Sequence, residues 1–119
     1  MRADRPSRGL FRVALVAAVL AGSIGRAPAA EGAEETLKTL YRIALSAEMC
    51  GFPIAPRQSE ALGKSMNRAL TESGLDPDAA EELYRDVDAS LEAEGWDKVC
   101  AAGGDWARNY RALLAANTK

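Results

Sequence analysis

Cys50 and Cys100 are the only cysteines in the chain, fifty positions apart, and their pairing constrains the fold more than any other feature. Cys50 stands in the stretch Met49-Cys50-Gly51-Phe52-Pro53-Ile54, which also stops a helix. Gly51 permits a left-handed backbone, and Pro53 lacks an N–H and holds Phe52 extended. A disulfide would tie the end of the first predicted helix to a segment just before the last. Closing a loop of about fifty residues contributes roughly 2–4 kcal/mol, mainly by restricting the unfolded chain. The alternatives are two free thiols or half of a metal site, but histidine is absent and the cysteines form no CxxC pair.

The N-terminus reads as an export signal. Arg2, Arg5, Arg8 and Arg12 make a basic region, and an apolar run from Val13 to Ile24 follows. That run is in the range of signal peptides and too short to cross a bilayer. Small residues in Ala27-Pro28-Ala29-Ala30 predict cleavage after Ala29 or Ala30. The break at Gly22, Ser23 and Gly25 argues against an uncleaved anchor. No cysteine follows for a lipid, and the arginines are not adjacent as in a twin-arginine signal. The expectation is a signal peptide over 1–30 and one exported domain over 31–119, periplasmic or extracellular, with no stable membrane insertion after cleavage.

Cleavage changes the electrostatics. Residues 31–119 carry 10 basic and 16 acidic side chains, a net charge of −6, which disfavours nucleic acid and anionic lipid as partners. A domain of this size has a modest core, and a disulfide is a common supplement.

Four amphipathic segments follow an acidic lead at Glu31 to Glu35. In Thr36 to Met49, Leu37, Leu40, Tyr41, Ala44 and Leu45 share one stripe. Glu48, eleven positions after Leu37, falls on the same side at about 100° per residue. It either reaches solvent at the rim or is a partly buried carboxylate beside the disulfide, available to a ligand or to protons. Phe52 and Ile54 are expected to turn inward. Pro56 suits the start of a second helix, Arg57 to Ser73, although Ala55 is a poor cap; Ser59, Leu62, Met66, Ala69 and Leu70 form its face and Gly74 its stop. The third helix opens with Asp76 as cap and Pro77 in first position, carries Ala80, Leu83, Tyr84, Val87 and Leu91 inward, and ends at Gly95. A short turn from Trp96 to Ala102 brings Trp96, Val99 and Cys100 to the core. Asp105 is expected to cap a last helix with Trp106, Tyr110, Leu113 and Leu114 inside, and Asn117-Thr118-Lys119 to fray. The predicted fold is an all-α four-helix bundle with an extra short turn before the last helix, closed by one disulfide.

Chemical motifs are sparse. The acids on the third helix lack the alternating ligands and central glycine of a calcium loop. Gly63-Lys64-Ser65 lies inside a helix without the preceding strand of a phosphate-binding loop. With no histidine and both cysteines oxidised, the common acid–base and nucleophilic arrangements are missing, and a carboxylate pair for glycoside hydrolysis has little concave surface to work in. No catalytic residue, cofactor or metal is therefore assigned. Phe52, Trp96 and Trp106 with Glu48 are the candidates for a ligand or pH-sensing site. The reading by elimination is a non-catalytic exported module that binds a protein partner or a small apolar ligand.

In size, export, helical content and a single disulfide of similar span, residues 31–119 resemble the small acid-stress chaperones of the HdeA type, with Phe52 matching the aromatic shortly after the first cysteine. That resemblance implies a fold that opens at low pH and holds unfolding clients. Physically it needs carboxylates whose protonation weakens the fold, and the −6 charge with Glu48 on an apolar stripe supplies candidates.

Overall fold

A computed structural model describes residues 27–119. The stretch Arg2 to Ile24, on which the expected export signal rests, lies outside the described residues. Five helices follow one another: α1 (Pro28–Cys50), α2 (Pro56–Ser73), α3 (Pro77–Glu94), α4 (Trp96–Cys100) and α5 (Asp105–Asn117). There is no strand among the described residues. The predicted all-α fold is present, and Cys50 is bonded to Cys100 with 5.2 Å between their Cα atoms.

The helix α1 begins earlier than its apolar stripe suggests. Pro28 sits in its first turn behind an extended Ala27, and Glu31 complements the positive end of its dipole. The acidic lead is thus helical, and Ala33 within it is buried. Cleavage after Ala29 or Ala30 would remove only the start of this helix. Gly51, in the left-handed region at φ 68°, ends it as expected.

Two starts follow their sequence signals. Asp76 Oδ1 accepts the Ala79 N–H at 2.8 Å and caps α3. At α2 the alanine cap has no acceptor, but Gln58 Oε1 accepts the Ala55 N–H at 3.0 Å, the glutamine half of a capping box.

The last helix departs from expectation at both ends. Gly104, not Asp105, is the cap residue, at a position where a Cβ would come within 3.1 Å of the Lys98 carbonyl oxygen; Asp105 becomes the first helical residue and pairs with Arg108. The C-terminal tail is tied rather than frayed. Asn117 Nδ2 donates to Leu113 O at 2.8 Å, Thr118 Oγ1 donates to Leu114 O at 2.6 Å, and Ser65 Oγ on α2 donates to Asn117 O at 2.6 Å.

Burial on α1 reaches several faces, since α2, α3, α4 and α5 all pack against it. Leu37, Leu40 and Ile43 are fully buried and join Leu62, Ala69, Leu83, Tyr110 and Leu114 in the main core. Each such aliphatic side chain contributes about 1.5–3 kcal/mol on burial. A smaller cluster of Leu45, Leu91 and Val99 gathers around the disulfide. Trp106 packs against both. Tyr84, expected inside, is exposed at the rim of α3 and meets Tyr41 edge to face at 5.2 Å.

Candidate functional site

The four residues singled out by sequence do not form one site: Trp106 shares the main core cluster with Phe52 and the smaller cluster with Trp96, and Glu48 stands outside both. Glu48 is exposed, because the last two turns of α1 turn buried Ile43 and Ser46 and half-buried Cys50, spaced i, i+3, i+7, to the side opposite to it. The rim reading holds and the buried-carboxylate reading does not. Phe52 lies against Tyr110 with ring centres 4.9 Å apart, and Tyr110 donates its hydroxyl to Pro53 O at 3.3 Å. Trp96 packs beside Leu45, Leu91 and Val99. Of the four, Trp106 alone combines a packed edge with a place in an open cleft.

Around Trp106 the structure assembles groups from three helices. Ser46, fully buried on α1, accepts the indole Nε1–H at 2.9 Å. Its own hydroxyl hydrogen faces the carbonyls of Arg42 and Ile43, at 2.8 and 3.1 Å. One turn back, the Arg42 guanidinium lies 4.4 Å from the centre of the Trp106 ring. The same guanidinium grips Glu94 at the end of α3 through two bonds, Nη1 to Oε2 at 2.7 Å and Nη2 to Oε1 at 3.0 Å. Those bonds hold the Glu94 carboxyl below the usual carboxylate range, against the smaller opposing effect of partial desolvation. The buried Arg42 Nε has no hydrogen-bond partner. Elsewhere, burial pushes the Tyr41 and Tyr110 phenols up, with Tyr84 adding to the effect on Tyr41.

Arg42, Glu94 and Trp106 line an open cleft of about 690 Å³ between the end of α3, α4 and the start of α5, with Lys98, Asp105 and Asn109 at its edge. No family model, curated protein or solved structure matches the chain. The site is therefore read from its own chemistry. Arginine and tryptophan are the residue types that dominate binding hot spots, and here their mutual stacking and the Ser46 bond hold both in place. Ser46 is unsuited to nucleophilic attack, being fully buried with its hydrogen on backbone carbonyls. Among the described residues no group of three or more carboxylates or cysteines gathers to hold a metal ion, and no described helix is long and apolar enough to cross a membrane.

Sequence reasoning missed Arg42, Ser46 and Glu94. One signal was present. Ile43, Ser46 and Cys50 form a second helical stripe that ends on the cysteine, which marks α1 as buried on two sides and places a serine among apolar neighbours.

A further pair of clefts follows the seam of α1 and α3. One, of about 430 Å³, is lined by residues including Lys38, Arg42, Leu83, Asp86, Val87 and Ser90; the other, of about 180 Å³, by Leu75, Ala79 and Glu82 among others. They share Glu34, Leu83 and Asp86, and Arg42 joins the first to the Trp106 cleft. Glu34 lies beside Ala79 while Arg42 lies beside Glu94, so α1 and α3 run parallel along this seam.

Proposed function

We propose that this chain is a non-catalytic exported module that binds a protein partner at the Trp106 cleft. The observation that carries the reading is the preformed Arg42–Trp106 stack lining an open cleft of mixed polarity. A protein surface supplies the charged and apolar groups such a cleft matches, whereas a small apolar ligand calls for an enclosed apolar chamber. Phe52 and Trp96 support the same choice, since both pack against core clusters. The export half of the proposal rests on the N-terminal sequence and on the disulfide, which persists in oxidising compartments.

The test is site-specific photocross-linking in envelope extracts, with a benzophenone amino acid at Asn109 on the cleft edge or at Lys64 on the exposed side of α2. A discrete protein adduct from position 109 and none from 64 is the expected result. Equal labelling from both positions, or none from 109, would reject the cleft as the binding surface.

The acid-stress chaperone reading keeps one supporting observation, the Arg42–Glu94 pair joining α1 to α3, which protonation would break. Glu94 is nearly half exposed, so one such pair adds little to stability. Full near-UV circular dichroism at pH 2–3 with no suppression of client aggregation would remove this reading.

A further inference from the structure

The seam between α1 and α3 is a groove lined by apolar and acidic side chains. Half-buried Leu75, Ala79 and Val87 and the edge of buried Leu83 give its apolar lining, and Glu34, Glu82 and Asp86 line it beside them. Glu82 and Asp86 are exposed, and neither has a cation paired with it among the described residues. The positive groups at the groove are already engaged: Lys38 with Glu35 at 3.1 Å, Arg42 with Glu94. The charge presented to a visitor is therefore negative.

We infer that this groove receives a basic amphipathic helix of the partner, which deepens the proposed function and rests on it. Two parallel helices leave a channel that a third helix fills by seating its apolar ridge on the apolar lining. From Ala79 to Ser90 the groove is about 16 Å long at 1.5 Å per residue, room for roughly three turns of a partner helix. Lysine or arginine flanking the apolar ridge would meet Asp86 and Glu82, and acidic side chains there would be repelled. Arg42 links the groove to the Trp106 cleft, so one partner can engage both. A second copy of this chain fits less well. The exposed side of α2, the helix with the most basic residues, presents Glu60, Gly63, Lys64, Asn67 and Arg68, with no apolar side chain to reach Leu83 and Val87.

The test uses the full chain expressed for export, ¹⁵N-labelled, and three synthetic eighteen-residue peptides. The first places leucines on one helical face with lysines elsewhere, the second replaces the lysines with glutamates, and the third scrambles the first. The expected result is binding of the lysine helix alone, with amide shifts at Leu83, Asp86 and Val87, and at least tenfold weaker binding by a Glu82→Lys, Asp86→Lys double variant of unchanged far-UV spectrum. The inference is overturned if the scrambled peptide binds as well, if the double variant binds unchanged, or if shifts fall away from the seam. A dimer by light scattering that the double variant dissolves would assign the groove to a second copy instead. Tighter binding of a peptide of residues 1–26 would assign it to the chain's own leader. Adducts from Asn109 with a silent lysine helix would retain the binding module and remove its helical partner, whereas silence in both experiments would remove both.

Discussion

Trp106 on α5 donates its indole N–H to the buried hydroxyl of Ser46 on α1 across 2.9 Å, sixty residues apart in sequence. The bond fixes the ring plane that Arg42 covers, and so connects the core to the cleft. Replacing Ser46 by alanine leaves a half-buried N–H without its acceptor. The expected cost is about 1–3 kcal/mol by urea denaturation. A loss under about 0.5 kcal/mol would mean that the indole finds another acceptor and that the bond does not set the site.

Arg42 combines a bidentate ion pair with an aromatic stack, a combination that lysine does not reproduce. Arg42→Lys is expected to lower the yield of the proposed cross-link from Asn109 at least fivefold while leaving the far-UV spectrum intact. A yield that matches wild type would assign the stack to packing alone.

Glu94 gives the pair a pH dependence of defined sign. Its folded pKa lies below the ordinary carboxylate value, so its contribution is fully present above about pH 4.3 and is lost as pH falls through the lower folded value. Wild type should therefore exceed Glu94→Gln in denaturant midpoint at pH 7, and the two should converge near pH 2. A difference that persists at pH 2 would trace to something other than ionisation.

Gly95 separates α3 from α4 with φ 96° and ψ 118°, outside the left-handed helical region that Gly51 and Gly74 occupy. An added Cβ meets no neighbour, so any penalty is backbone strain alone. Gly95→Ala should cost about 1–3 kcal/mol in a thermal or urea melt. Equal stability of the variant would place the α3–α4 junction in a different backbone conformation.

The fold was legible from the chain because its signals are local. Asp76-Pro77 starts α3, Gly51, Gly74 and Gly95 end helices, and each apolar stripe repeats at the helical period. Errors came where tertiary context overrides those signals. Gly104, crowded by the Lys98 and Ala101 carbonyl oxygens, holds the cap position expected for Asp105, and the tail is ordered by Ser65 of α2, fifty-two residues from its partner Asn117. The site was largely illegible for the same reason. Arg42 and Glu94 are fifty-two residues apart, and no local period places a guanidinium over an indole from another helix.

A cut expected after Ala29 or Ala30 leaves α1 starting at or near its own N-terminus. The mass of the exported chain should correspond to a first residue of Ala30 or Glu31, with one disulfide. Retention of residues 1–26 would reject the expected cleavage.

The bond between Cys50 and Cys100 also dictates how the molecule carries a mechanical load. Tension applied at its two ends runs down α1 to Cys50, crosses the sulfur bridge and continues through α5, so the segment from Gly51 to Val99 bears none of it. Unravelling under force would stop short by the length of that bypassed segment, about 165 Å of extended chain at roughly 3.4 Å per residue. The groove wall formed by α3 lies inside the shielded stretch, while α1 and α5 take the strain.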